Sequence, residues 1–444
     1  MAPPIAGIIE GFYGRPWSWD DRVAVLDACH RWGMTDYVYA PKDDPKHRAS
    51  WREPYDDAEL AGFARLTATD TLRVGFGISP GLSIDPDSAS DRAALVVKVG
   101  QVVGAGVRLV ALCLDDIPFG GEDQGAAHAR LTTWLADHLA GRAEVVLVPT
   151  EYVGIRRTPY LTALSDGTPE HVPIAWTGDS VVTDAITAMQ ARRRAEALGG
   201  RAPLVWDNVP VNDGLMADRL HLGPFWGRDP KLLADGAVSG WLANPMVQPS
   251  ASLLPLASIA AWLRGADPLD AWATEAAARG WQVLAEACDG AVPGVLVADL
   301  VDAFTAGRLD AGALVRARAW FADATGCAAP GLEDEAARWI TAVRDEASVA
   351  LAALGLLERA LTTEAGDGAD LDLVTDSFVL GFRWKALLRS DVSVMGVRLG
   401  FRPVLGQAGD GRWAVRRSSV IEDTNAVDAL CRLAFDVVAW AGGD

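Results

Sequence analysis

Residues 109–118, Leu109-Val-Ala-Leu-Cys-Leu-Asp-Asp-Ile-Pro118, are a run of apolar strand formers that stops at two adjacent carboxylates, Asp115 and Asp116. A strand buried on both faces cannot hold two charges cheaply, so the pair belongs where the strand leaves the core. In a parallel barrel or an open parallel sheet, that carboxyl end is where active sites lie.

Working outward, strand-type runs of this kind recur at residues 5–10, 36–40, 72–79, 108–115, 144–150, 174–177, 204–207 and 240–244. Between them lie segments with apolar residues at helical spacing, such as Leu95, Val96, Val99 and Val102. Strand and helix therefore alternate through eight units over about 265 residues, the size of a (β/α)8 barrel. A doubly wound sheet is the alternative, but it rarely repeats the unit eight times at this spacing. Polar and aromatic residues gather after the strands, as in Glu10-Gly-Phe-Tyr-Gly14, Pro149-Thr-Glu-Tyr152 and Trp206-Asp-Asn208, whereas the opposite connections are short and plain. One rim is thus expected to carry the chemistry.

Beyond about residue 265 the pattern turns to Ala- and Leu-rich helical runs at 267–287, 292–306, 311–324 and 332–362, a loop at 364–370, and a final helix at 424–440. Residues 392–420 are ambiguous, with hints of a two-residue period and glycine breaks. The expected organisation is a catalytic barrel over residues 1–265 followed by an α-helical domain over residues 266–444, an α/β TIM barrel with a mainly helical C-terminal part.

Composition bounds the partners. Of 444 residues, 50% are hydrophobic and 22% charged, which describes a folded chain. Lys plus Arg against Asp plus Glu gives 40 − 59 = −19, a charge that disfavours nucleic acid and anionic membrane surfaces. The opening Met1-Ala-Pro-Pro-Ile-Ala-Gly7 lacks the features of a secretory signal, and the default expectation is cytoplasmic. Cys29, Cys113, Cys288, Cys327 and Cys431 are widely spaced and read as buried thiols.

Tandem aspartates at a strand end can simply cap the following helix. Their chemical reading depends on what they could do together. Glycosidases that use two carboxylates place them on opposite sides of the scissile bond, about 5 Å or more apart, which adjacent residues do not easily achieve. Neighbouring acids fit better a reaction whose nucleophile is the substrate's own 2-acetamido oxygen: one carboxylate holds the acetamido N–H and the other protonates the leaving oxygen. Tyr152 could donate to the acetamido oxygen, and Trp176 and Trp206 could enclose the acetyl methyl. Lys42, Asn208, Asp213 and Asn244, after four different strands, are compatible as a clamp on sugar hydroxyls. The cluster Asp43, Asp44, His47 and Arg48 lacks metal-ligand spacing and reads as rim salt bridging, so neither a metal nor an organic cofactor is expected.

These residues are similar to the motifs of glycoside hydrolase family 84, the β-N-acetylglucosaminidases that include the protein O-GlcNAcases. The resemblance rests on Glu10-Gly-Phe-Tyr-Gly-Arg-Pro-Trp17, Tyr39-Ala-Pro-Lys-Asp-Asp44, Lys46-His-Arg48, Trp51-Arg-Glu53, Ser79-Pro-Gly81, Asp115-Asp116, Pro149-Thr-Glu-Tyr152, Trp176-Thr-Gly178, Trp206-Asp-Asn208, Asn212-Asp213 and Asn244-Pro245. It implies a (β/α)8 barrel and retaining, substrate-assisted removal of terminal β-linked N-acetylglucosamine through an oxazoline-like intermediate, with a GlcNAc-bearing glycoconjugate as substrate. By position it implies Asp115 as the residue orienting the acetamido group and Asp116 as general acid, later base. Tyr152 and Asn208 would assist, Trp206 would line the pocket, and Gly11 (through its backbone), Lys42, Asp213 and Asn244 would hold ring hydroxyls. Three rival readings are a non-catalytic GlcNAc-binding module, a retaining glycosidase with an enzyme nucleophile, for which Asp207 opposite Asp116 is the candidate, and a barrel lyase or metal hydrolase, which would lose activity to chelators.

Overall fold

The computed structural model describes residues 5–69, 72–308, 310–362, 371–392, 394–397, 403–407, 413–417 and 424–441. Its first part alternates strand and helix: β1 (Ile5–Glu10), α1 (Trp19–Arg31), β2 (Asp36–Tyr39), α2 (Asp57–Thr67), β3 (Arg73–Ile78), α3 (Ala89–Gly104), β4 (Leu109–Cys113), α4 (Gly121–Leu139), β5 (Glu144–Val148) and α5 (Pro159–Gly167). The alternation continues through β6 (Ala175–Trp176), α6 (Ala188–Ala197), β7 (Leu204–Asp207), α7 (Lys231–Ala234), β8 (Gly240–Ala243) and α8 (Pro249–Leu263). Each expected strand run forms a strand, shorter by a residue or more in most cases.

The eight strands make one sheet in the order β5-β4-β3-β2-β1-β8-β7-β6, and every paired neighbour runs parallel. A parallel bridge between Leu147 and Ile174, with the Leu147 N–H donating to the Pro173 carbonyl at 2.9 Å, joins the two edges into a barrel. Sequence sets several helix starts locally. Ser18, Asp56 and Thr187 each cap a helix with the side chain, and the backbone N–H of each donates in return to the side-chain oxygen three residues on, of Asp21, Glu59 and Gln190.

Alternation along the strands decides what fills the barrel. Ile5 and Ile9, Val38 and Ala40, Leu109, Ala111 and Cys113, Val146 and Val148, Ala175, Leu204 and Trp206, and Leu242 form one buried cluster. Within each strand these residues stand two or four apart, so they share one face, the face toward the barrel interior.

The chain divides into two compact units. One comprises Met1–Gly214, Pro224–Ala271 and Pro403–Arg416; the other comprises Leu215–Gly223, Trp272–Arg402 and Arg417–Asp444. After the barrel come α9 (Pro268–Arg279), α10 (Gln282–Asp289), α11 (Ala291–Thr305), α12 (Ala311–Thr325), α13 (Ala337–Thr362), α14 (Leu371–Leu387), the paired strands β9 (Pro403–Gln407) and β10 (Trp413–Arg417), and α15 (Ala426–Ala441). In the second unit the 26-residue α13 is the central rod against which α12, α14 and α15 pack. The helix expected over 267–287 is two helices, because Gly280 has φ +71° and Trp281 restarts the chain as the cap of α10. The long run expected from residue 332 becomes helical only at Ala337. The ambiguous 392–420 segment contains the two strands, and the loop expected at 364–370 lies outside the described residues. Among the described residues, no helix is long and apolar enough to cross a membrane.

Candidate active site

The two-residue period that fills the barrel also builds its mouth. Continuing the interior-facing series past each strand end leads from Ile9 to Gly11, from Ala40 to Lys42, from Cys113 to Asp115, from Val148 to Tyr152, from Trp206 to Asn208 and from Leu242 to Asn244. These residues extend the same inward face and are those expected from sequence to meet a ligand.

Asp116 does not belong to that series. Extended backbone would turn it outward with Val110, Leu112 and Leu114, but its φ is +52°, the left-handed region. For a residue with a Cβ this conformation costs about 1–2 kcal/mol. The backbone reversal brings both neighbouring carboxylates to one cluster of groups, since Lys42 Nζ lies 2.5 Å from Asp115 Oδ2 and 3.9 Å from Asp116 Oδ2.

The two acids have different surroundings. Asp115 is 5% exposed; Oδ2 takes the Lys42 bond, and Oδ1 is buried with no hydrogen-bond partner. Burial alone would lower the Lys42 pKa, but the Asp115 and Asp116 carboxylates outweigh it and hold it above the ordinary lysine value. Asp116 is more open and is gripped by phenols. Tyr152 donates to Oδ1 at 2.8 Å and Tyr13 donates to Oδ2 at 3.1 Å. Burial, with the Asp116 and Asp115 charges beside it, raises the Tyr152 pKa well above the usual tyrosine value, so the phenol keeps its proton and stays a donor.

A second group forms the opposite wall. Asn208 Oδ1 accepts from Trp206 Nε1 and from Asn244 Nδ2, both at 2.9 Å, and Asn208 Nδ2 donates to the Val181 carbonyl at 2.7 Å. Asn244 Oδ1 accepts from the Gly11 N–H at 3.1 Å. Gly11 tolerates no side chain, because a Cβ there would sit 2.3 Å from the Trp206 ring. The Lys42 ammonium lies 5.6 Å from the centre of that ring, which ties the two walls together. Asp213 accepts from the Tyr13 N–H at 2.7 Å, and burial raises its pKa.

Other residues singled out in the sequence serve the scaffold. Trp176 is fully buried and its indole N–H donates to the Gly154 carbonyl at 2.9 Å, so it braces the loop carrying Tyr152. Glu10 accepts a bidentate pair from Arg22, both bonds 2.8 Å, and a bond from Tyr37. Asp44 accepts from Tyr39 and Tyr55, while His47 Nδ1 meets the Gly77 carbonyl. Asp207 is 1% exposed, and each carboxylate oxygen takes one bond from Arg228, at 2.6 and 3.0 Å.

Three contributors received no catalytic or substrate-binding role in the sequence reading. Tyr13 falls two residues after Gly11, so the same alternation could have found it. Arg48, read as rim salt bridging, donates to the Tyr13 hydroxyl at 2.7 Å and stands 3.9 Å from Asp116 Oδ2. Arg194, on α6, is fully buried and binds the Glu151 and Gly154 carbonyls on either side of Tyr152. No local pattern announces either arginine.

The sequence pattern described as beta-N-acetylglucosaminidase matches residues 6–289. The curated Protein O-GlcNAcases of Rattus norvegicus and Mus musculus are each 32% identical over 277 residues, covering 59% of this chain and 30% of theirs, so the chain spans less than a third of their length. Among solved structures, a mutant O-GlcNAc hydrolase of Thermobaculum terrenum superposes with a TM-score of 0.77 at 24% identity, over 98% of this chain and 96% of that one. The structure of CpGH84B gives 0.80 at 22% identity, over 97% and 76%. At such identities the structural likeness is one of fold.

Proposed function

Because the chain belongs to the beta-N-acetylglucosaminidase family, glycoside hydrolase family 84, we propose that it is a retaining exo-acting hydrolase of terminal β-linked N-acetylglucosamine on glycoconjugates. The observation that carries this reading is the asymmetry of Asp115: one oxygen is charge-paired with Lys42, and the other is buried without a partner. A buried carboxylate oxygen left unbonded is costly, and an acetamido N–H is a donor of the right kind to satisfy it.

In the proposed first step the acetamido oxygen forms a bond to C1 as the bond from C1 to the aglycone oxygen breaks. Asp115 accepts the N–H and stabilises the positive charge that develops on the amide, while a proton on Asp116 passes to the leaving oxygen. In the second step water attacks C1, Asp116 takes its proton, and the oxazoline reopens to the amide. Two inversions at C1 give net retention. Tyr152 orients Asp116, Trp206 lines the acetyl pocket with Asn208 braced against it, and Lys42, Asp213, Asn244 and the Gly11 backbone hold the ring. Catalysis is assigned to the barrel, residues 1–265, and no chemical step to residues 266–444. The five cysteines are unpaired thiols, which supports the reading of a reducing, cytoplasmic setting.

An enzyme nucleophile is disfavoured, since Asp207 has both oxygens committed to Arg228. The test is hydrolysis of a chromogenic N-acetylglucosaminide beside the matching glucoside, which lacks the amide. Turnover of the first alone is expected. Equal turnover of both would refute substrate assistance, and saturable binding without turnover would favour a sugar-binding module.

A further inference from the structure

The loop after β5 carries Tyr152, whose hydroxyl donates to Asp116 Oδ1 at 2.8 Å. Part of its backbone is held by its neighbours after β6. The Tyr152 carbonyl accepts from the Thr177 N–H at 3.0 Å, and the Gly154 N–H donates to the Gly178 carbonyl at 2.8 Å, with Gly154 at φ +86°. Arg194, from α6, holds the two remaining carbonyls. Its Nη2 donates to the Glu151 carbonyl at 2.6 Å, and its Nη1 donates to the Gly154 carbonyl at 3.3 Å, which also takes the Trp176 indole N–H.

A guanidinium is a costly group for that task. Arg194 is fully buried, its Nε has no hydrogen-bond partner, and both of its bonds go to carbonyls. The Glu151 carboxylate is bonded instead by the Thr158 hydroxyl at 2.5 Å. Burial lowers the Arg194 pKa to about 10, against the opposing effect of the Glu151 charge, so the side chain still carries its charge at neutral pH. Burying a cation without a directly bonded counter-ion costs several kcal/mol. What arginine offers in return is a rigid planar fork, whose two arms fix the separation of two acceptors as a single ammonium cannot. Here the acceptors belong to residues 151 and 154, which flank Tyr152.

We propose that Arg194 is a positioning residue for the hydrolysis, its fork fixing the turn that carries Tyr152 and, through the phenol, the direction in which Asp116 presents its proton. The proposal rests on the substrate-assisted reading above. Arg194 acts through Tyr152 alone. Without the fork the phenol drifts, and a displacement of about 1 Å at a reacting site costs about 10²-fold in rate. The loss falls on the step that needs the acid, so it grows as the leaving group becomes poorer. It falls on kcat more than on KM, because the groups assigned to the sugar ring stand on other strand ends.

The experiment is a double-mutant cycle in the full chain with Arg194→Met, Tyr152→Phe and both together. Turnover is measured on aryl N-acetylglucosaminides of graded leaving-group ability, and stability by urea denaturation. Arg194→Met should lower kcat about 10- to 10²-fold on the poorest leaving group and less on the best, with KM changed by less than about threefold. In the Tyr152→Phe background the same substitution should lower kcat by less than about threefold, since no hydroxyl is left to place. The fall in urea midpoint should be the same in both backgrounds. Arg194→Lys, which keeps the charge but not the fork, should show the same signature in weaker form, and it carries the test if Arg194→Met does not fold. Equal fractional losses in the two backgrounds, a loss independent of the leaving group, or a lysine variant with native kcat would each overturn the proposal. A native chain that turns over no N-acetylglucosaminide would instead defeat the functional reading beneath it, and the proposal with it.

Discussion

Asp115→Asn isolates the charge on which the proposed chemistry depends while leaving shape almost unchanged. In the native protein Asp115 and Lys42 are 2.5 Å apart, with side chains 7% and 4% exposed. Removing one member of a buried pair costs about 3–5 kcal/mol. Here the lower end is expected, because Asp116 at 3.9 Å still faces the ammonium, although its 32% exposure screens it. Asparagine also offers only one acceptor oxygen. If that oxygen accepts from Lys42, the amide NH2 confronts the substrate's own N–H, donor against donor. The variant should therefore lose about 3 kcal/mol of stability and about 10²- to 10³-fold in kcat/KM, with the same loss for good and poor leaving groups. A double-mutant cycle separates the two effects. Asp115→Asn combined with Lys42→Met removes the whole pair and should regain most of the stability, read by urea denaturation, yet none of the activity, read with an aryl N-acetylglucosaminide. Recovery of turnover along with stability would reduce Asp115 to a partner for Lys42, and an undiminished rate in the single variant would remove it from the reaction.

Asp116→Ala should cost about 10² to 10⁴ in rate on substrates with poor leaving groups and much less on activated aryl glycosides; equal losses on both would refute its role as the acid. Asp207→Asn should destabilise the barrel by about 3 kcal/mol or more by leaving Arg228 buried and unpaired, while the folded fraction keeps its turnover; trapping of a glycosyl ester on Asp207 would contradict this. Low pH should also destabilise the fold through His47 and His128. Burial lowers each pKa to about 4, with the Lys42 charge adding to the effect at His47, against about 6.5 in the unfolded chain. Between those values the unfolded chain binds more protons, so stability present above about pH 6.5 is lost as pH falls toward 4, by about 3 kcal/mol per histidine. Urea midpoints measured across this window should fall more steeply for the native chain than for His128→Gln, and parallel slopes would disprove the assignment.

The barrel was legible because its signals are short-range. Each strand run is a few residues long, each is followed by a helix-period segment, and together they number eight. The interior-facing set was legible for a similar reason, since a period of two carries from Cys113 to Asp115 and from Ala40 to Lys42 without knowledge of any neighbour. The helical unit was less so. Gly280 splits what reads as one helix because its effect depends on a positive φ that composition does not reveal, and α14 hid among polar and aromatic residues because two opposite faces are apolar, which blurs the usual pattern.

What the chain by itself determined is which residue types stand at which strand ends, including two acids side by side and the lysine, asparagines and tyrosine that face inward with them. Only the folded barrel decided how those groups meet. Lys42 reaches Asp115 across 73 positions, and the Arg48, Tyr13 and Asp116 contacts join three different strand ends. The turn at Asp116 that sends it back toward its neighbour is a strained conformation held by those distant partners. Alternation is a local consequence of extended backbone, whereas such convergence requires the closed sheet, whose curvature brings every strand end to one mouth.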